Sequence, residues 1–208
     1  MSNAVSLITG NEIVTDFHDE ILTALHSAEL SVSEIKFHPA IACEQGKLYL
    51  LCLSDDEIRA FVKSQQGKNL LLGILPNPLC PRIMRSYGIS GKISDAIEDA
   101  INPELQNQVD LLLCNGEPVF NNVIIGDVHG LNDTQLMPDS RWHTLKRFFS
   151  NLSRISFRDY VLTTGKGQSI QTSATGIMIL EHSIHGVSNN LINENLSLQD
   201  GKLNALIL

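Results

Sequence analysis

The sequence predicts an α/β unit followed by a mostly β half with one helix inserted. Three observations carry that prediction. Up to about residue 102, short apolar runs alternate with segments of helical periodicity, the pattern of helices packed on a largely parallel sheet. Around Pro103 the texture changes. Beyond it, short apolar or alternating runs recur around turn signals. The chain has 208 residues, 43% of them hydrophobic and 18% charged, so it can bury a core. Aromatics are 5%, which makes that core chiefly aliphatic.

The elements follow in order. Residues 5–9, VSLIT, form a strand stopped by Gly10. In TDFHDEILTALHSAE, Phe17, Ile21, Leu22 and Leu25 recur at helical spacing, with Thr15 or Asp16 as N-cap. LSVSEIKFH alternates like a half-buried strand, whereas KLYLLCL, 47–53, is apolar enough to be buried on both faces. DDEIRAFVKSQ places Ile58, Phe61 and Val62 on one helical face, behind acidic residues that suit a helix N-terminus. NLLLGIL, 69–75, reads as another buried strand, ended by Pro76-Asn77-Pro78. Arg82–Tyr87 is a helical turn closed by Gly88, and SDAIEDAIN a short helix capped by Ser94.

The second half begins with QVDLLLCNGEPVFNNVIIGD, two strands around Asn115-Gly116, a hairpin signal. Residues 139–153 carry Trp142, Leu145, Phe148, Phe149 and Leu152 as an amphipathic helix. FRDYVLTT, QSIQTSA, TGIMILEHS and KLNALIL read as strands, and TTGKGQS as the hairpin between the first two. The expected domains are 1–104 and 105–208.

Charge and cysteine usage narrow the function. A formal charge of −8 argues against a broad nucleic-acid surface. There is no run of the roughly 20 apolar residues a membrane helix needs and no signal-peptide pattern, so the expectation is a cytoplasmic chain. Cys43, Cys52, Cys80 and Cys114 form no Cys-x-x-Cys pair and are expected as reduced thiols. Gly126-Asp127-Val128-His129-Gly130 has the Asp-x-His form of a metallophosphoesterase ligand pair. A two-metal site needs further ligands, including a bridging carboxylate. No later Gly-Asp or Gly-Asn-His motif supplies them, so the segment reads as a strand end and turn. Arg141, Lys146, Arg147, Arg154 and Arg158 gather basic charge that could meet anionic lipid headgroups.

Taken together, LYLLCLSDDEIRAF, LLLGILPNPLCPRIMRSYGI, ISDAIEDAI, VDLLLCNGEPVFNNVIIG and LSLQDGKLNALIL resemble, in order and spacing, the diacylglycerol kinase and sphingosine kinase-like lipid kinases, of the NAD kinase superfamily. The resemblance implies a small Rossmann-like N-terminal domain, a C-terminal β-sandwich with an inserted helix, and a cleft between them. It implies ATP and Mg²⁺ as cofactors and γ-phosphoryl transfer to a lipid hydroxyl. At the place of the family's Gly-Gly-Asp-Gly-Thr loop stand Ser54, Asp55, Asp56 and Glu57, and only Asp55 keeps the family's residue. The Leu-Pro-x-Gly-Thr-x-Asn-Asp loop is matched by LPNPLCPR: Pro76 persists, Asn77 follows it, Pro78 and Leu79 replace Gly-Thr, and Arg82 falls where an acid is usual.

Phe120-Asn121-Asn122 to Gly126 matches the family's hairpin and puts Asn121 and Asn122 at the cleft. Asp200-Gly201-Lys202-Leu203-Asn204 matches Asp-Gly-x-Leu-Asp, with Asp200 as the metal candidate. The family's Gly-Glu segment, whose acid is implicated in activating the lipid hydroxyl, would follow Leu208, so the second domain is expected to be cut short or to lack it. The partners implied are a lipid, a membrane surface touched peripherally and a second copy of the chain, with no nucleic acid. Acidic side chains in place of phosphate-binding glycines repel triphosphate. The alternative to a kinase is therefore a non-catalytic binding or regulatory module of the same fold.

Overall fold

The computed structural model describes residues 4–13, 15–120, 122–126, 157–180 and 203–207. These fall in two compact units that meet in sequence at 121–122, and each is described by itself.

The first unit is built on a four-stranded parallel sheet. Strand β1 (Ala4–Thr9) leads through helix α1 (Thr15–Ser27) to β2 (Ser31–Lys36). Strand β3 (Leu48–Cys52), helix α2 (Asp55–Ser64) and β4 (Leu71–Ile74) follow. The order is β2-β1-β3-β4, with Ser6 opposite Tyr49 and Leu50 opposite Gly73 in the registers of β3 with its neighbours. Side chains alternate across the central strands, so both faces bury a core. Val5, Leu7, Leu50 and Cys52 pack with Ile21 and Leu25 of α1 and with Ile93, Ala96 and Ile97 of α4 (Ile93–Ile101). Ile8, Tyr49, Leu51 and Leu53 pack on the opposite face with Ile58 and Phe61 of α2 and Ile83 of α3 (Pro81–Tyr87).

Local chemistry accounts for the helix ends. Gly88 closes α3 with φ 66°, a left-handed conformation that suits glycine. The expected cap of α4 is corrected: Lys92 takes the N-cap position without a side-chain bond, and Ser94 lies inside the helix with its Oγ on Asp95. The reading of residues 69–75 as a buried strand is also corrected. Among the described residues β4 pairs only with β3, and Leu71 and Leu72 are 37% and 41% exposed. A strand at a sheet margin buries less of each face than a central one.

Strands β5 (Leu112–Cys114) and β6 (Glu117–Val119) form the predicted Asn-Gly hairpin. Asn115 and Gly116 have φ 52° and 81°, the two positive values a two-residue hairpin turn requires. The hairpin packs on α2, where Lys63 bonds Glu117, and Phe120 beyond it meets the edge of the Tyr87 ring. The apolar run 117–126 is thus not one strand. Its second part, β7 (Asn122–Gly126), belongs to a different sheet.

The second unit contains an antiparallel sheet of β7, β10 (Gly176–Leu180) and β11 (Asn204–Ile207), in the order β11-β10-β7. It also contains the hairpin β8 (Arg158–Thr163) and β9 (Ser169–Ala174), turned through 164–168 as the sequence predicts. Among the described residues of this unit, Ala174, Ile177, Met178 and Leu180 are buried and apolar. Gly126 lies under the Tyr160 hydroxyl with φ 107°, so a side chain there would be strained and would collide with Tyr160. The amphipathic helix expected over 139–153, including Arg141, Lys146 and Arg147, lies outside the described residues, as does Arg154.

Candidate functional site

A parallel sheet gathers ligands outside the carboxyl ends of its strands, at the point where the strand order reverses. In the order β2-β1-β3-β4 that point lies between β1 and β3. Gly10 N–H donates to Cys52 O at 3.0 Å, the last tie between the two strands. Beyond it the chains separate into Gly10-Asn11 on one side and Leu53-Ser54 on the other.

The Glu57 carboxylate fills this fork. Ser54 caps α2, and its Oγ accepts from Glu57 N–H at 3.3 Å. Glu57 reaches back, and its Oε2 accepts from Ser54 N–H and from Ser54 Oγ, both at 3.0 Å. This is a complete capping box. The other oxygen, Oε1, accepts from Asn11 N–H at 3.0 Å, so one carboxylate joins the exits of both strands. Gly10 makes room for it, since a Cβ there would run into Glu57 Oε2. Lys36 Nζ reaches Gly10 O at 3.4 Å from the end of β2.

The other two acids of the first turn point elsewhere. Asp56 is exposed and pairs with Arg59 at 2.8 Å on the same helix. Asp55 reaches the second loop: its Oδ2 accepts from Arg82 N–H at 3.3 Å and its Oδ1 from Ile83 N–H at 3.1 Å, while its own N–H donates to Leu79 O at 3.0 Å. A carboxylate on the first amides of α3 satisfies donors that have no partner within the helix. Asn77 shapes the rest of that loop. Its Oδ1 accepts from Leu79 N–H at 2.9 Å and its carbonyl from Cys80 N–H at 2.8 Å. Pro78 has no N–H to offer, and the N–H groups of Leu79 and Cys80 are taken.

The thiols beneath this region respond to it. Burial, then the Glu57 charge, pushes Cys52 up to about 12. Burial, then the hydrogen bond and charge of Asp55, pushes Cys80 up to about 12. Burial likewise raises Cys43 above the ordinary thiol value. Cys43, Cys52, Cys80 and Cys114 are all free thiols.

The structure therefore brings together Ser54, Asp55, Glu57, Asn77 and the backbone of Arg82, and leaves Asp56 in solvent. Pro76 is buried beside Asn77. The Arg82 side chain is exposed and forms no ion pair among the described residues. Asn122 opens β7, where its Nδ2 lies 3.9 Å from Met178 Sδ in the second unit. Asn121, Asp127, His129 and Asp200 lie outside the described residues. Among the described residues no cluster of three or more His, Cys, Asp or Glu is placed to hold a metal ion.

Sequence reasoning missed the part played by Asn11 N–H and Lys36. The capping box did have a signal, because Ser54-x-x-Glu57 ahead of an amphipathic helix is its signature.

No protein-family model matches the sequence, and no curated protein matches it. The fold does have counterparts among solved structures. A diacylglycerol kinase from Bacillus anthracis str. Sterne superposes with TM-score 0.63 at 18% identity, over 100% of this chain and 73% of that one. A candidate diacylglycerol kinase of the same organism gives TM-score 0.63 at 17% identity, over 99% of this chain and 75% of the other. A third structure, also of a candidate diacylglycerol kinase from that organism, gives 0.55 at 17%, over 86% and 65%. The chain has the diacylglycerol kinase-like fold, as the resemblance of its motifs implies.

Proposed function

We propose that this chain is a diacylglycerol-kinase-like module that works by binding a partner rather than by phosphoryl transfer. One observation carries the reading: the Glu57 carboxylate occupies the fork between β1 and β3 and holds the N–H groups of Asn11 and Ser54. Phosphate held at a sheet switch point depends on free backbone donors and on room for oxygen atoms. Here the donors are engaged by an anion of the chain's own. A second anion there meets that carboxylate, and like charges repel. In the second loop the N–H groups of Leu79 and Cys80 are likewise engaged, by Asn77. These residues do not fit the triphosphate of ATP, so no catalytic step is derived through it.

The ligand class proposed is a lipid, met at a membrane surface, with the two-domain arrangement divided near residue 104 and a Mg²⁺ at Asp200 as further expectations of the same resemblance. Self-association as a homodimer and a cytoplasmic location belong to the same proposal. Among the described residues no helix is long and apolar enough to cross a membrane.

Calorimetric titration of the protein with Mg-ATP and Mg-ADP, alongside thermal unfolding in the same solutions, tests the reading. Neither nucleotide is expected to give a saturable heat or to raise Tm. A ligand that prefers the folded state at about 100 times its Kd adds about 2.7 kcal/mol to stability, which such a scan detects. Saturable stabilisation by Mg-ATP, with phosphorylation of diacylglycerol in mixed micelles, would replace the module by a working kinase.

A further inference from the structure

Most lysines and arginines of the first unit are engaged within it. Lys36 reaches Gly10 O, Lys47 lies over the Tyr49 ring, Arg59 pairs with Asp56, Lys63 with Glu117 and Lys92 with Asp95, and Lys68 donates to Gln65. The two left over stand on one helix. Arg82 and Arg85 of α3 are exposed, and among the described residues neither guanidinium has an ion-pair partner. Ile83 and Ser86 turn into the core, so Arg82 and Arg85 share the outward side, where two like charges three residues apart are neighbours and repel. The acids of the adjacent α2 turn do not relieve them: Asp55 and Glu57 are spent on backbone amides and Asp56 on Arg59. Just ahead of the helix Leu79 is 43% exposed, with Pro78 and Pro81 exposed on either side of the Leu79-Cys80 pair. Asp55 already holds the amides of Arg82 and Ile83, so side chains alone make this surface.

We propose that the outward side of α3, with Leu79 ahead of it, is the surface by which this unit meets an anionic bilayer, Arg82 and Arg85 on lipid phosphates and Leu79 among the upper acyl carbons. Charge selects the partner's sign: two guanidiniums without a counter-ion take phosphate oxygens as charge-assisted acceptors. The apolar side chains select a bilayer over a wholly polar polyanion, since an interface offers hydrocarbon directly beneath its phosphates, and arginine spans that boundary with an apolar stem and a charged head. The formal charge of −8 opposes approach to an anionic surface. At physiological salt that field decays over about 8 Å, so in contact the charges of the docking face decide. The proposal deepens the lipid partner of the module reading and rests on that part of it, not on the Glu57 contact.

Flotation of the full chain with vesicles tests it. The vesicles are phosphatidylcholine alone, an equimolar mixture of phosphatidylcholine and phosphatidylglycerol, and phosphatidylcholine containing diacylglycerol. Partitioning onto the anionic mixture is expected to exceed that onto phosphatidylcholine and to weaken with added salt. Arg82→Gln and Arg85→Gln should each lower it about fivefold, and the double variant about 25-fold. Leu79→Ala should lower it by a factor that salt leaves unchanged. Arg59→Gln removes the same charge from a paired place, and should leave partitioning nearly as it is. All four side chains are exposed or half-exposed, so the variants keep the core intact. Equal partitioning onto neutral and anionic vesicles would overturn the proposal. So would an equal loss in Arg59→Gln and Arg82→Gln, which would make net charge rather than this face the cause. Diacylglycerol in the neutral vesicles reports the lipid ligand separately: no gain from it removes that part of the module reading, while charge-dependent docking through α3 would still stand.

Discussion

At the residue scale the informative side chain is Glu57. It accepts from three donors on two segments, so its loss strands Asn11 N–H and Ser54 N–H together. Glu57→Ala is expected to cost about 1–3 kcal/mol, combining a lost helix cap with charged hydrogen bonds. Glu57→Gln, which keeps one acceptor oxygen, should cost less, and urea denaturation midpoints rank the two. Cys52 and Cys80 give a second prediction at this scale. Their thiols ionise at about 12 in the folded chain against an ordinary 9.0. Between those values the unfolded chain releases protons that the folded chain keeps, so stability is full below pH 9 and falls as pH rises toward 12. Urea midpoints measured through that window should decline, and Cys52→Ala with Cys80→Ala should flatten the decline. At pH 8 a thiol reagent should label the half-buried Cys114 well before either of them.

At the element scale, Asp55 fixes where α3 begins. Its carboxylate holds Arg82 N–H and Ile83 N–H, and Ile83 in turn packs into the core beneath the sheet. Asp55→Ala should lower stability by about 1–2 kcal/mol and speed hydrogen exchange at Ile83, while Asp55→Asn keeps an acceptor and should lose less. Circular dichroism melts and amide exchange measure both effects. Most elements could be read from the chain because their signals are local. α2 shows its period of 3.6 and acidic first turn, β3 an unbroken apolar run, and the β5–β6 hairpin its Asn-Gly pair. Two readings failed because their causes are distant. Leu71 and Leu72 look like core residues, yet β4 lies at the margin of the described sheet, a matter of strand order rather than composition. Residues 117–126 look continuous because both parts are apolar, but β6 pairs with β5 and β7 with β10.

At the scale of the whole molecule, the framework and the loops at its strand ends rest on different kinds of signal. Helices cover both faces of the parallel sheet, and the fold superposes on a diacylglycerol kinase and a candidate diacylglycerol kinase at 18% and 17% identity. Hydrophobic patterning maintains such a framework, whereas a phosphate loop depends on a few glycines. The sequence shows Ser54 to Glu57 after β3, but not that Glu57 reaches across to Asn11, because the two are 46 residues apart. One turn of α2 carries both Asp55 and Glu57, and through them grips the exit of β1 and the start of α3. These parts should therefore open as a single cooperative block. Native-state exchange at Asn11, Ser54 and Ile83 should report a shared opening free energy, and cutting either carboxylate's grip should quicken exchange at the partners of the other.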